Sequence, residues 1–304
     1  MVNDQWRNKF FRDALLKHAP NKVVLDVGSG TGILAFYALT AGAKFAYAVE
    51  INSQSAKITH EILSKNFDSS RFKVLVGNFF LPEIDSHIEH PIDILVSETI
   101  GPGLFDQGIL NIWHRAKQFL SEDAICIPDA IGFDLWTWSG DVTSGIDSFI
   151  PSKNSNIFFT TECLDSQFAN SLLELDQAYK NLDACPMSWI KINQIPIQPS
   201  ECYENKIVYN INNLPKSNLT LESCYVESTS KIEFEFEITQ SSTVVIGNKL
   251  MFENNTIFLK DAKYMPWQYN PVFVLDQPGH YVCSYNNYER FYMPLNEWVC
   301  KLVK

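Results

Sequence analysis

Residues 23–50 read VVLDVGSGTGILAFYALTAGAKFAYAVE. An apolar, β-branched run enters Asp26, three glycines alternate at 28, 30 and 32, and the segment from Ile33 to Thr40 is apolar and helix-compatible. Phe45 to Val49 then returns as a second apolar strand that ends in Glu50. The order is strand, tight turn, helix, strand. Glycines allow positive φ and let the backbone approach a ligand closely, and a helix start presents unpaired N–H groups to a polar ligand. An acid about 20 residues beyond such a turn is placed to accept hydrogen bonds from ribose hydroxyls. Glu50 fits that position, so the stretch predicts a βαβ nucleotide-binding unit in a parallel sheet.

Nicotinamide, flavin and S-adenosylmethionine (SAM) sites all use a glycine turn. Here the order is D-V-G-S-G-T-G, with GxGxG spacing where dinucleotide binders carry GxGxxG. That order resembles motif I of class I SAM-dependent methyltransferases. The resemblance implies SAM as cofactor, held by Asp26, Gly28, Ser29, Gly30, Thr31, Gly32, Glu50 and the adjoining Ile51. From the residues alone, a strand-to-helix turn without a ligand is the other reading.

The 304 residues suffice for one large domain or two ordinary ones, and 46% hydrophobic with 19% charged residues is a globular composition. No apolar run approaches the roughly 20 residues that a membrane span needs. The opening MVNDQWRNKFFRD is polar and charged, unlike a secretory leader, and the expectation is a soluble, cytoplasmic protein. A net charge of −11 argues against nucleic acid as the main partner. Seven cysteines are scattered without a CxxC or a His-associated pair, which reads as reduced thiols and predicts no metal site.

Ahead of the glycine turn, DQWRNKFFRDAL (4–15) has helical spacing, with Trp6, Phe10, Ala14 and Phe11, Leu15 as its apolar face. This helix followed by motif I resembles the protein arginine methyltransferases. In that family the arginine of this helix grips the carboxylate of SAM, and Arg7 is the residue that matches. A guanidinium suits the task because it binds a carboxylate through two parallel hydrogen bonds.

Beyond Glu50, residues 52–69 are helix-compatible and Phe72 to Val76 is strand-like. Gly77, Asn78 and Phe79 then fall where class I methyltransferases contact adenine, although an ordinary loop fits the same residues. DILVS (93–97) is an apolar strand that delivers Glu98 into ETIGPGLFDQGIL, a glycine- and proline-rich irregular loop. A carboxylate at the C-terminal end of a parallel strand lies on the edge where open α/β sheets bind ligands. The loop resembles the double-glutamate loop of arginine methyltransferases, whose two carboxylates hold the guanidinium of the acceptor. Glu98 matches the first acid, but nine positions later stands Gln107. Losing a charged partner in a desolvated pocket costs roughly 2–5 kcal/mol of binding. Either Asp106 supplies the missing charge, or the acceptor is not an arginine side chain.

Residues 111–120 predict a helix and 124–127 a strand, with Pro128 closing a first domain (1–128). The remainder (129–304) is β-rich. Alternating runs at 133–138, 206–211, 231–238, 256–259, 272–275, 281–285 and 297–303 predict an antiparallel barrel or sandwich. Ser166 to Leu182 is a helical pattern; the resemblance implies a dimerisation arm there (164–184) and a homodimer, and a simple cap is the alternative. Tyr264-Met265-Pro266-Trp267 resembles the family's Thr-His-Trp loop beside the acceptor pocket, matched at Trp267 alone, which could equally be a packing residue.

The fold class expected is thus α/β, a Rossmann-like class I methyltransferase domain followed by an antiparallel β domain. The function implied is SAM-dependent methylation of a guanidino nitrogen on a peptide or small molecule, with Glu98, Gln107, Asp106 and Trp267 around the acceptor. The alternatives are methylation of another amine, amide or hydroxyl, or a catalytically weak SAM-binding partner subunit.

Overall fold

The computed structural model of the chain describes residues 5–100, 108–142, 187–190, 201–204, 209–210, 232–253, 255–258, 270–286 and 297–303. Its first part runs α1 (Gln5–His18), β1 (Val23–Val27), α2 (Ile33–Thr40), β2 (Phe45–Glu50), α3 (Ser53–Asn66), β3 (Phe72–Val76), β4 (Ile92–Val96), α4 (Ile109–Ala116) and β5 (Leu120–Ile127). The five strands form one parallel sheet in the order β3-β2-β1-β4-β5. All five residues of β1 are buried, as expected for a central parallel strand whose two faces are both covered. From β1 the chain winds outward to β2 and β3, then returns to β4 on the other side of β1. That reversal opens a crevice at the carboxyl ends of β1 and β4, where ligands bind in such sheets.

The ends of the elements have local causes. Asn52 caps α3, its side chain accepting from the N–H groups of Gln54 and Ser55 at 3.0 Å each. Helix α3 stops at Asn66, short of the expected 52–69, and Asp68 caps a separate short 3-10 turn. The helix expected over 111–120 instead spans Ile109–Ala116. Leu120 already belongs to β5, where it pairs with Ile92, and the N–H of Ile92 bonds to the carbonyl of Phe119 at 2.9 Å. Sheet pairing thus claims the residues that composition alone gives to the helix.

The second part is antiparallel: β6 (Ala130–Ser139), β7 (Met187–Ile190), β8 (Glu201–Glu204), β9 (Tyr209–Asn210), β10 (Glu233–Ile238), β11 (Ser242–Phe252), β12 (Asn255–Phe258), β13 (Asn270–Leu275), β14 (Gly279–Asn286) and β15 (Glu297–Leu302). One sheet follows the order β7-β13-β11-β6-β8, with β12 added on β11 and β9 on β6; a smaller one is β10-β14-β15. Strand β10 shows the expected alternation, with Phe234, Phe236 and Ile238 inward and Glu233, Glu235 and Glu237 outward. Strands β7, β8 and β11 are additions to the expected set. Of the run 206–211 only Tyr209 and Asn210 are described, as β9, and the proposed arm (164–184) lies outside the described residues.

One apolar core joins the two parts, running from Phe11 and Leu15 of α1 through Val24, Ile94 and Trp113 to Phe133, Phe252, Phe273 and Trp298. A smaller cluster, including Ala35, Leu39, Leu63 and Phe72, packs α2 and α3 against β2 and β3.

Candidate functional site

The glycine turn lies at the carboxyl end of β1, and its backbone requires glycine. Gly28 has φ +73°, and a Cβ there would lie 2.5 Å from the Thr99 side chain; at Gly32, φ +80°, it would lie 2.6 Å from Thr59. The turn is pinned to β2: the N–H groups of Gly28 and Ser29 both donate to the carbonyl of Val49, at 2.9 and 3.1 Å. Thr59 of α3 closes it from outside, its hydroxyl donating to the Gly30 carbonyl at 2.8 Å.

Glu50 ends β2 and bridges two backbones, accepting from Gly30 N–H at 2.7 Å and from Asn52 N–H at 2.8 Å. It is held beside the turn in the position expected of a ribose-binding acid. Asp26 is fully buried within β1; one carboxylate oxygen accepts from Ala35 N–H of α2 at 3.0 Å. The other oxygen, like the buried hydroxyl of Ser29, has no hydrogen-bond partner among the described residues. Burial pushes the Asp26 carboxyl up to about 7; the Ala35 hydrogen bond opposes this, and the nearby charges of Glu50 and Glu98 add to it.

Arg7 and Glu98 meet. Arg7 shares the inner face of α1 with Phe11, Ala14 and Leu15 and is 3% exposed, whereas Trp6, expected on the apolar face, is 50% exposed. Its guanidinium forms an ion pair with the carboxylate of Glu98, which follows β4 and is also buried. The segment around Glu98 is tied to the glycine turn through neighbours that sequence patterns do not mark. The Ser97 hydroxyl lies 2.8 Å from the Val27 carbonyl and 3.0 Å from the Thr99 hydroxyl, and Thr99 packs on Gly28.

After β3, the Gly77 N–H bonds to the Glu50 carbonyl at 2.9 Å, which sets the 77–81 segment next to Glu50. Asn78 caps the turn, its side-chain oxygen accepting from Phe80 N–H at 3.0 Å. The ring of Phe79 is turned into the core, against Phe80 and Phe119. Ile51, 68% exposed just after β2, and Val76, 58% exposed at the end of β3, are open apolar side chains on that edge. Thr31 sits partly exposed in the turn. Asp106, Gln107 and Trp267 lie outside the described residues. Thr59, Ser97, Thr99 and Arg115 are structural partners that sequence reading misses, since each acts through contacts distant in sequence.

Comparison with known proteins agrees with this geometry. The ribosomal protein L11 methyltransferase (PrmA) family matches residues 13–127. Protein arginine N-methyltransferase 9 of Xenopus laevis is 38% identical over 123 residues, 40% of this chain and 15% of that protein. Histone-arginine methyltransferase CARMER of Anopheles gambiae is 34% identical over 131 residues, 42% of this chain and 20% of its own. The matches thus span about a fifth or less of these relatives. Among solved structures, PRMT6 superposes with a TM-score of 0.61 at 16% identity, covering 100% of this chain and 97% of PRMT6. Arabidopsis thaliana protein arginine methyltransferase 10 gives 0.57 at 15% identity, covering 100% and 96%. Sequence over residues 13–127 and fold over the length of the chain therefore point the same way: the first part is similar to methyltransferases, and the chain as a whole has the fold of the arginine methyltransferase structures.

Proposed function

We propose that the chain transfers a methyl group from SAM to a guanidino nitrogen of a peptide or small molecule. The observation that carries this is the placement of the Arg7–Glu98 pair beside a glycine turn closed by Glu50. The described residues fit SAM: the turn allows close backbone approach, Glu50 offers acceptors for the ribose, and the two unpartnered buried oxygens of Asp26 and Ser29 suit the amino group. When bound, SAM supplies a methyl on a sulfonium, which a nitrogen displaces in line as the sulfur leaves as a thioether and the acceptor loses a proton. Arg7 holds the cofactor carboxylate. Glu98 binds the acceptor N–H groups, orients them, and by its negative charge raises the electron density of the attacking nitrogen.

A second reading rests on Gln107, an amide where the family carries an acid. It favours an acceptor other than arginine, such as another amine, amide or hydroxyl, or a subunit that supports an active paralogue. The structural neighbour Trypanosoma brucei PRMT1, TM-score 0.55 at 16% identity, was solved as an enzyme–prozyme heterotetramer with AdoHcy. Homodimer formation through residues 164–184, an acceptor-side role for Asp106 and Trp267, and a cytoplasmic setting complete the proposal, supported by the family resemblance and the scattered cysteines. No helix among the described residues is long and apolar enough to cross a membrane.

Calorimetric titration with S-adenosylhomocysteine, followed by turnover on arginine peptides, free arginine and a metabolite panel, separates these readings. Binding with arginine methylation supports the first. Turnover on another acceptor moves the assignment to the second, binding with no turnover to the supporting subunit, and no binding removes the SAM site altogether.

A further inference from the structure

Arg115 lies in the last turn of α4, and its guanidinium reaches the segment that follows β3. Its Nε donates to the Phe79 carbonyl at 2.6 Å; one terminal nitrogen donates to the Leu81 carbonyl at 3.2 Å and to the Asp85 carboxylate at 2.6 Å. The same group lies 5.7 Å from the centre of the Phe79 ring. With 17% of its side chain exposed, it is mostly withdrawn from water. The internal bonds of the 77–81 turn fix only its local shape, with Asn78 accepting from Phe80 and Leu81 at 3.0 Å each. Arg115 fixes where that turn sits relative to α4.

We propose that Arg115 is a positioning residue for the adenine end of the cofactor, acting by clamping the 79–85 segment to α4. The inference rests on the SAM reading above and deepens it. The Gly77 N–H bond to the Glu50 carbonyl makes this segment the wall beside the ribose-side acid, so a base continuing from the ribose meets the backbone that Arg115 holds. A guanidinium is needed because its planar fork serves two carbonyls and a carboxylate while stacking on a ring, which a lysine ammonium cannot do at once. Helix α4 begins after Gly108, which follows Gln107 in sequence, so the clamp also ties that helix to the 79–85 segment.

The full chain is titrated calorimetrically with S-adenosylhomocysteine and, separately, with adenosine, as wild type, Arg115→Lys and Arg115→Ala. Arg115→Ala is expected to weaken both ligands by the same factor, about tenfold for the loss of charged hydrogen bonds, with kcat at saturating cofactor within about twofold of wild type. Arg115→Lys recovers part of the affinity through Asp85. Should Arg115→Ala fail to fold, Arg115→Lys carries the test with a smaller loss of the same kind. Unchanged affinity for both ligands overturns the proposal, as does a fall in kcat as large as the fall in affinity. A wild-type chain that binds neither ligand instead overturns the SAM reading on which the proposal rests.

Discussion

The guanidinium of Arg7 on α1 pairs with the carboxylate of Glu98 beyond β4, two buried side chains brought together across 91 positions of sequence. The residue assigned to the cofactor carboxylate and the residue assigned to the acceptor thus share one charge pair. Breaking a buried ion pair from one side costs about 3–5 kcal/mol, because the remaining charge loses its counter-ion in a dry setting. Arg7→Met is expected to lower unfolding stability in urea by about that amount, and Arg7→Met/Glu98→Gln by less than the sum of the two single changes. Additive losses would show that the two side chains are not coupled. Glu98→Gln alone keeps a hydrogen-bonding partner for Arg7, so S-adenosylhomocysteine affinity stays near wild type while turnover disappears; a fully active variant would remove Glu98 from its catalytic role.

Asp26 predicts the pH profile. Its folded carboxyl is raised to about 7 from the ordinary carboxylate value of 3.8, chiefly by burial. The folded state therefore keeps a proton that the unfolded state releases at lower pH. Stability is full below the unfolded value, declines as pH rises above it, and the loss is complete above about 7. Unfolding free energies measured between pH 4 and pH 8 (roughly the window set by this linkage) should fall less with pH for Asp26→Asn than for wild type. Equal slopes would mean that Asp26 titrates normally. The same variant should bind S-adenosylhomocysteine more weakly, since the oxygen left unpartnered is replaced or neutralised.

The βαβ core of the site is legible in sequence because its determinants are local: apolar runs, glycines at positive φ, and an acid closing the second strand. Partners distant in sequence are not. Within α1 the spacing of apolar residues places Trp6 inward, yet Trp6 is half exposed and Arg7 is buried, because Glu98 sits opposite and supplies the counter-charge. Strand β11, STVVIGNKLMF, carries no clean alternation and a lysine in its middle, so it reads poorly as a strand. Lys249 belongs there because Asp134 of β6 meets it at 2.7 Å. The burial of the Phe79 ring has a similar cause, since Arg115 and Phe119 lie against it. Gln107 and Trp267 are readable as residues in the sequence and lie outside the described residues.

Gly28 tests the coupling between the glycine turn and the acceptor segment. Its φ of +73° strains any L side chain, and its Cβ would lie 2.5 Å from Thr99. Gly28→Ala should cost about 1–3 kcal/mol of stability from backbone strain alone, with cofactor binding weakened as the turn shifts. Gly28→Ala/Thr99→Ser removes the methyl that clashes while leaving the strain, so it should recover part of the stability and not all. Full recovery would assign the whole cost to the clash, and no recovery would assign it to φ.

In the antiparallel part, Lys249 of β11 and Asp134 of β6 form an ion pair 2.7 Å long with side chains 7% and 0% exposed. Both strands are covered on their two faces here, so neither charge has water to fall back on. Lys249→Met is expected to cost about 3–5 kcal/mol in urea unfolding, and Lys249→Met/Asp134→Leu less than that, because replacing both charges by apolar groups of similar size removes the desolvation penalty as well as the attraction. Neither change touches the glycine turn, Glu50 or Arg7. S-adenosylhomocysteine affinity measured well below the unfolding midpoint should therefore match wild type, and a parallel loss of affinity would show that the antiparallel sheets help to shape the cofactor site.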